Sequence, residues 1–420
     1  MLDYKPFLLC FVRIITILLL LTSLLLIFIK VVQKRPAYPP RPWIINVPKN
    51  KALPYRTEHH FLFAKNEKGR IIVFDKNIQN GFEKKEVEYA SFLKGESQPK
   101  IELSVDEKTL ALVTENSLLL KNRITHEEIL LEKTQSANRQ NRYSRVFVNK
   151  IKWSFDDKYL LLEYIGFESN AFSVFDINKK EKFFPKGDGA LSGEHIVWSP
   201  RADMFLDSSD TTVYGVVPGL YLSEPNNLKQ FKNMASSLNL ANYLFYNAVF
   251  SPDGKKIAFL CSAGDIAVKE PTPLDQYKKL MVYDLENKAV NLLDSSVSGS
   301  NLFFSPSGSV LFYSKTEEGK SRFYSFNLRE QKSKLEFEIA LETSEITNIK
   351  WMNENELVFE ITEKNENYLF MDMLILVLDL HKQELVYSSE KFPYPVKILS
   401  INNLINLKDK PYEINDSLSQ

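Results

Sequence analysis

The feature that most constrains the fold is a motif that recurs about every fifty residues over most of the 420-residue chain. In each copy a short apolar strand ends at a serine, a tight turn follows, and a second apolar strand begins at once. The clearest copies lie at 248–260, around a Ser-Pro-Asp-Gly turn, and at 302–313. The anchors of the six copies are Ser104, Ser154, Ser199, Ser251, Ser305 and Met352. Successive anchors are 50, 45, 52, 54 and 47 residues apart.

The turn chemistry predicts a hairpin at each copy. Proline in the second position presets a turn, and a residue such as Gly254 accepts the positive φ that closes it. A third strand, such as 279–285, and a fourth, such as 289–293, follow in the same unit. A repeat of this length with four short strands per unit is typical of the blades of a β-propeller.

The two ends of the repeat region complement each other. Residues 61–75 and 87–92 provide the second, third and fourth strands of a blade, and 395–401 provides a lone first strand. Joining them closes the ring and removes its exposed edges. The sequence therefore predicts an all-β chain, a β-propeller of four-stranded blades over 57–420, with seven blades and a split closing blade. Rings of six or eight blades stay open as alternatives.

The motif also points to a known family. An aromatic residue followed by Ser-Pro-Asp-Gly-Lys and an apolar strand, as at 250–260, resembles the repeat of TolB-like β-propellers. Two copies match it well, two in part and two weakly, and the resemblance covers roughly residues 57 to 410. The resemblance implies a scaffold for protein interactions. Related blades also precede hydrolase domains in some peptidases.

Residues 1–34 are predicted to form a short N-terminal tail and one transmembrane helix. Residues 14–29 carry no charge, and the apolar segment extends to residue 32, which is close to the ~20 residues that a spanning helix needs. A cleaved signal peptide is the alternative, but the run is longer than such a peptide's apolar region and no small-residue cleavage site follows. We therefore predict a retained signal anchor.

Residues 35–56 form a proline-rich linker. Its prolines are Pro36, Pro39, Pro40, Pro42, Pro48 and Pro54. Each proline fixes φ and lacks a backbone donor, so the segment is predicted to be an extended spacer without a helix or a central strand.

The flanking charges allow two interpretations of the side of the membrane on which the propeller lies. The basic residues that follow the apolar segment favour a cytoplasmic domain, whereas the short basic N-terminal tail is the usual form of a signal anchor. The signal-anchor form and the resemblance together predict a single-pass membrane protein whose propeller is extracytoplasmic.

Signals for catalysis are weak. The sequence has no nucleophile elbow, phosphate-binding loop or dinucleotide-binding fingerprint. Its five histidines fall in different units, apart from the adjacent His59 and His60, which we interpret as a surface pair. We predict no catalytic residue, no metal and no cofactor, and therefore no enzyme. Lysine plus arginine and aspartate plus glutamate both number 53, which argues against a nucleic-acid partner.

Two residue types recur at fixed places in the motif. We interpret the turn acids as turn formers that bond to their own backbone, and the tryptophans as packing between blades. The acids are Asp106, Asp156, Asp203 and Asp253, and the tryptophans are Trp153, Trp198 and Trp351. A ring of ligands and a sugar-stacking platform are the respective alternatives.

Loop lengths single out one face of the propeller. Three long insertions, 133–149, 233–246 and 262–278, leave from the same side because strands alternate in direction. Binding usually resides in loops on a rigid scaffold, although neutral tolerance of insertions is the alternative. The candidate partner-binding residues are Arg139, Arg142, Arg145, Leu240, Leu244, Asp265, Lys269 and Tyr277.

Together these features predict a membrane-anchored β-propeller scaffold that binds a protein or envelope partner through one loop-rich face. Two alternatives stay open. One is a propeller enzyme of the lyase or glycosidase type with a site at the central channel. The other is the sensor subunit of a membrane complex.

Overall fold

A computed structural model describes most of the repeat region. The described residues are 43–46, 59–68, 70–77, 83–90, 99–114, 117–133, 147–165, 170–184, 196–201, 204–209, 219–225, 232–241, 243–263, 278–317, 320–340, 344–364, 370–389, 391–393 and 396–403. The predicted membrane segment, 1–34, lies outside these residues. Within the described part, no helix is long and apolar enough to span a bilayer.

Strands dominate the described residues, which contain no helix. The N-terminal strands are β1 Trp43–Asn46, β2 His59–Glu67, β3 Arg70–Asn77, β4 Glu83–Ala90, β5 Ile101–Leu103, β6 Thr109–Val113, β7 Ser117–Asn122, β8 Glu128–Lys133, β9 Phe147–Trp153 and β10 Tyr159–Ile165. The middle strands are β11 Asn170–Asp176, β12 Glu181–Phe183, β13 Ile196–Trp198, β14 Phe205–Ser209, β15 Gly219–Ser223, β16 Lys232–Asn233, β17 Tyr243–Phe250, β18 Lys256–Ala263, β19 Lys278–Asp284 and β20 Ala289–Val297. The C-terminal strands are β21 Leu302–Phe304, β22 Val310–Glu317, β23 Lys320–Asn327, β24 Lys332–Ala340, β25 Ser344–Trp351, β26 Glu356–Lys364, β27 Phe370–Asp379, β28 Glu384–Ser388, β29 Phe392–Pro393 and β30 Val396–Asn403.

These strands form seven antiparallel sheets. Six sheets each contain four strands that are consecutive in the chain: β5–β8, β9–β12, β13–β16, β17–β20, β21–β24 and β25–β28. Each begins at one copy of the sequence motif. The four-stranded sheets predicted from the repeat are therefore confirmed.

The remaining sheet joins the two ends of the repeat region. Its order is β30-β2-β3-β4, and Leu62 of β2 lies opposite Ser400 of β30. This split sheet is the one predicted from the sequence, although its fourth strand is β4, which begins and ends earlier than the predicted 87–92.

Two short strands pair with these sheets in addition, β1 at an outer edge and β29 beside a third strand. Strand β1 pairs with β24, and β29 pairs with β27. Strand β1 lies inside the proline-rich linker, where the sequence predicted no central strand. It forms between Pro42 and Pro48 as an edge strand, the position in which neighbouring prolines are tolerated.

Each sheet packs against the next one in chain order, and the split sheet packs against both of its neighbours. Six interfaces are hydrophobic clusters, represented by Leu62 with Ile101, Leu120 with Ile151, Phe172 with Ile196, Leu220 with Phe245, Leu280 with Leu302, and Phe63 with Ile375. At the remaining interface, the rings of Phe323 and Phe359 meet edge to face at 5.5 Å. The core is therefore spread over the faces between sheets.

The first strands of the sheets converge. Strand β5 approaches β9, β13 approaches β17, β17 approaches β21, and β30 approaches β5. Trp153 Nε1 donates to the Glu102 carbonyl of the preceding sheet at 3.4 Å, and Trp351 Nε1 donates to the Phe304 carbonyl at 2.7 Å. The predicted packing role of these tryptophans is confirmed.

Candidate functional site

The antiparallel strands give every sheet two different ends. The links from first to second strand and from third to fourth lie at one end, which we call the turn end. The other links lie at the opposite end, which we call the loop end. The insertions follow β8, β16 and β18, which are fourth or second strands, so all three leave from the loop end.

The first turn of each motif is held by its own serine. In the 251–256 turn, Ser251 Oγ contacts Asp253 Oδ1 at 2.6 Å and accepts from the backbone N–H of Lys256 at 2.9 Å. Asp253 Oδ1 also accepts from the N–H of Lys255. Partial burial opposes ionisation, but these bonds outweigh it and hold the pKa of Asp253 below its usual value. The same contacts recur at Ser104 and Ser154, which confirms that Asp106, Asp156 and Asp253 are turn formers, whereas Asp203 lies outside the described residues.

Neighbouring turns also bond to each other. The Asp157 carboxylate accepts the N–H groups of Val105 and Asp106 in the preceding turn, at 2.7 and 3.0 Å. Arg201 Nε donates to the Asp253 carbonyl at 2.8 Å. The polar groups that form these bonds are used within the fold, so this end is organised for stability.

The second turn at this end repeats a different device. In five sheets, the side chain of the last residue of the third strand accepts backbone N–H groups two or three residues further on. These residues are Asn122, Asp176, Asp284, Asn327 and Asp379. The pKa of Asp284 is lowered to about 2, chiefly by the backbone N–H of Asn287 and then by the Lys256 ammonium.

Six of the predicted partner-binding residues lie outside the described part of the chain: Arg139, Arg142, Arg145, Asp265, Lys269 and Tyr277. Leu244 is half-buried on β17, opposite Ser262 of β18. These positions remain candidates because the insertions that carry them leave from the loop end.

The prediction that Leu240 binds a partner is corrected by its position in the structure. It is 7 % exposed and lies in the cluster between sheets β13–β16 and β17–β20, together with Met234 and Leu238. The backbone N–H of Leu240 donates to the carbonyl of Ala235 at 2.8 Å. These apolar residues therefore belong to tight turns that fold back onto the core, and Leu240 does not offer its side chain to a partner.

The described residues at the base of the 264–277 insertion form two tyrosine–lysine pairs, one on each face of sheet β17–β20, which we call together the tyrosine–lysine group. Lys278 Nζ lies 4.3 Å from the centre of the Tyr246 ring, and Lys279 Nζ donates to Tyr243 Oη at 2.8 Å. Tyr246 Oη shares a hydrogen bond with Ser262 Oγ at 3.0 Å. Tyrosines are enriched at interaction surfaces, and these two are half-buried. The sequence analysis did not identify this group, although two adjacent lysines and two nearby tyrosines beside the insertions could have indicated it.

A second polar group lies between sheet β17–β20 and sheet β21–β24, near the loop end. Tyr313 Oη donates to Asp294 Oδ2 at 2.7 Å, and Lys315 Nζ lies 2.9 Å from the same oxygen. Burial raises the pKa of Tyr313. Burial also opposes ionisation of Asp294, but the bonds from Lys315 and Tyr313 hold its pKa below the usual value. The group is an ion pair fixed across a sheet interface.

One inter-sheet face carries buried charge. Glu163 on β10 and Asp207 on β14 are 2 % and 0 % exposed. Lys150 Nζ lies 3.5 Å from Glu163 Oε2, and Lys152 Nζ donates to the carbonyl of Ile196 on the next sheet. Loss of hydration and then the nearby Lys150 charge lower the pKa of Lys152 to about 8. We call this set the charged interface; its sequence signal is one acid inside each of two apolar strands.

Other chemistry in the described part is limited. No group of three or more His, Cys, Asp or Glu side chains is placed there to hold a metal ion. Cys261 is fully buried, and burial raises the pKa of its thiol to about 12.

Comparisons with known proteins identify the fold. No family model and no curated protein matches the chain. An oligogalacturonate lyase in complex with manganese is 11 % identical, with 76 % of this chain and 99 % of that chain covered and a TM-score of 0.50. The oligogalacturonate lyase of Vibrio parahaemolyticus gives the same identity and TM-score, with 76 % and 93 % covered. These two propeller structures support the propeller fold predicted from the repeat.

TolB structures are also among the similar ones. TolB from Acinetobacter baumannii is 16 % identical, with a TM-score of 0.38, and 66 % of this chain is covered. The matched part of this chain spans 63 % of that TolB chain.

Proposed function

We propose that the chain is a membrane-anchored, seven-bladed β-propeller that serves as an interaction scaffold and binds a protein or envelope partner through its loop end. Each of the seven sheets is one blade. The ring closes through the pairing of β30 with β2, and the contacts of the split sheet with both neighbouring sheets support this closure. The partner binds without a cofactor or metal.

The observation that carries the proposal is the contrast between the two ends. The insertions 133–149 and 262–278 both leave from the loop end, whereas neighbouring turns at the opposite end bond to each other. Loops held by a rigid scaffold are the usual place for binding. The tyrosine–lysine group at the base of one insertion adds aromatic and cationic side chains to this surface.

Loop shortening tests the proposal. Residues 264–277 are replaced by a four-residue turn in the full chain, and the proteins that co-purify from solubilised native membranes are identified by mass spectrometry. The melting temperature should change little, because loop length costs little free energy, while recovery of the partner falls. Asp253→Asn at the turn end is the matched control and should keep the partner. Loss of the partner with Asp253→Asn alone would reject the loop end as the binding face.

The anchor places the propeller outside the cytoplasm. Deletion of residues 1–34 should move the protein from the membrane to the soluble fraction. Protease added to spheroplasts should digest the propeller of the full chain. A mature native protein that starts near residue 37 would reject a retained anchor, and protection until lysis would reverse the orientation.

A second candidate function is a propeller enzyme of the lyase or glycosidase type. The observation in its favour is the charged interface, where Lys152, whose pKa is lowered, lies near two buried carboxylates. A shifted pKa of this kind is common at catalytic sites. Release of reducing ends or unsaturated products from polysaccharides, abolished by Glu163→Gln, would favour this function over the scaffold.

A further inference from the structure

The outer edge of sheet β5–β8 carries exposed apolar side chains. Strand β8 pairs with β7, and no other described strand pairs with it. Ile129 and Leu130 in its centre are 45 % and 48 % exposed, and Ile124 in the preceding turn is also exposed. Together they make up three of the seven large apolar side chains that are exposed in the described part. An unpaired edge with an apolar centre is a ready template for pairing with another strand.

The two central side chains point to opposite faces of the sheet. Ile129 lies opposite Leu120, which belongs to the cluster shared with sheet β9–β12. Leu130 lies opposite Leu119, which packs on the cluster shared with the split sheet. A strand added beside β8 would therefore extend both hydrophobic clusters outwards and cover both exposed side chains.

Three other outer strands have a charged start, a short length or a covering strand, whereas β20, with exposed Leu292, is as open as β8 but carries a single acid. Strand β4 begins with four charged residues, 83–86, and β16 has two residues. Strand β24 is covered by the apolar strand β1, whose sequence is Trp-Ile-Ile-Asn. Charge, short length and a covering strand are the usual ways to guard an edge. The pairing of β1 with β24 shows that a four-residue apolar strand completes an outer edge of this fold.

We propose that β8 is a strand-addition site for an extended segment of a partner protein, in which two adjacent apolar residues are flanked by basic residues. Backbone hydrogen bonds supply affinity in this binding mode, and alternate side chains supply specificity. The site lies on the outer edge of a sheet, so it is a second surface, separate from the loop end.

Two acidic residues of β8 are the reason why we expect basic residues in the partner segment. Glu128 and Glu132 flank the apolar centre, with side chains 46 % and 40 % exposed. Each already contacts a lysine of its own fold, Lys121 at 3.2 Å and Lys182 at 2.7 Å. A carboxylate accepts several hydrogen bonds, so a lysine or arginine on the added strand would share these acids with the partners that they already have. Opposite charges directly across an antiparallel pair are stabilising.

A second copy of β8 does not fit the edge. A twofold axis gives two copies of an edge strand an antiparallel pairing in which one residue lies opposite itself. Centred on Leu130, this pairing puts Glu128 opposite Glu132 of the other copy, and like charges in that position are destabilising. Centred on Ile129 or on Leu131, it puts Leu130 opposite Glu128 or Glu132, respectively. The charges of the strand therefore select a different, basic partner.

The test uses the full chain in detergent and a fluorescein-labelled peptide with the core Lys-Val-Ile-Thr-Lys. Fluorescence anisotropy should report binding of this peptide and none of the version with glutamate in place of lysine. Leu130→Lys should weaken binding at least about tenfold, which corresponds to 1.4 kcal/mol. The matched control is Leu292→Lys, at an exposed leucine on the outer strand β20, and it should bind as the unchanged protein does.

Methylation of the peptide backbone gives a readout that leaves the protein unchanged. In an antiparallel pair only alternate amides of the added strand face β8. Methylation of one alternate set should abolish binding, and methylation of the other set should not. Equal effects of the two sets, equal binding to Leu130→Lys, or a dimer of the unchanged protein that Leu130→Lys dissociates would each overturn the proposal. Replacement of residues 264–277 should leave peptide binding intact, which separates this result from a failure at the loop end.

Discussion

The turn end and the loop end are built from the same strands but differ in how their polar groups are used. At the turn end, Ser251, Asp253 and the serines and acids at equivalent positions bond to nearby backbone, and adjacent turns bond to each other. At the loop end, Tyr243 contacts Lys279 and Tyr246 contacts Lys278, beside a long insertion. The same repeat unit therefore separates two tasks. One end preserves the geometry of the sheets, and the other is free to vary for binding.

The largest expected difference between the ends is in serine substitutions. Ser251→Ala removes a buried hydroxyl that serves both Asp253 and the backbone of Lys256, and should cost about 2 kcal/mol of unfolding free energy. Ser262→Ala at the loop end removes one side-chain hydrogen bond, to Tyr246, and should cost about 1 kcal/mol or less. Urea denaturation of both variants measures the difference. A larger loss for Ser262→Ala would contradict the separation of the two ends.

A glycine substitution tests the backbone of the turn end. Gly254 has a φ of +65°, and an added Cβ would lie 3.1 Å from the Arg201 side chain. Gly254→Ala should therefore cost roughly 1–2 kcal/mol of unfolding free energy. Partner recovery should be unchanged, because the loop end is untouched. Reduced recovery at full stability would show that the turn end takes part in binding.

Acid titration tests the second turn device. The pKa of Asp284 is about 2 in the folded chain, below its ordinary 3.8. Its contribution is therefore present above pH ~4 and is lost as the pH falls towards 2. Asp284→Asn should be less stable than the unchanged protein at pH 6, by on the order of 1 kcal/mol, and the difference should shrink as the pH falls. A difference independent of pH would exclude the carboxylate charge as its cause.

The smallest effect is a stabilisation. Lys288 is exposed and has a φ of +54°, a conformation that glycine adopts without strain. Lys288→Gly should raise the unfolding free energy by about 0.5 kcal/mol, since relief of strain exceeds the added freedom of the unfolded chain. Lys288→Ala keeps the strain and should leave stability nearly unchanged. Thermal denaturation of the two variants separates these outcomes.

The repeat was readable because it rests on local chemistry. Serine anchors and turn acids make the same contacts at Ser154 and Ser251, and Trp153 and Trp351 each donate to the preceding sheet, so the spacing of the copies locates them. The split sheet was predictable because the missing strand at one end of the repeat matched the spare strand at the other.

The remaining features depend on contacts between distant parts of the chain. The apolar spacing around Leu240 fits a surface turn as well as a core one, and only packing between two sheets decides between them. Glu163 and Asp207 are 44 residues apart and belong to different sheets, so no local pattern pairs them. Strand β1 lies among prolines, and its pairing with β24 depends on a long-range edge contact.

The most direct measurement of the central claim is site-specific photocrosslinking from one aromatic position at each end. Benzoylphenylalanine replaces Tyr243 at the loop end in one protein and Phe155, an exposed residue at the turn end, in another. Both full-length proteins are irradiated in native membranes, and the adducts are identified by mass spectrometry. If the partner binds at the loop end, position 243 gives an adduct with one recurring partner and position 155 gives none. An adduct with that partner from position 155 alone would contradict binding at the loop end.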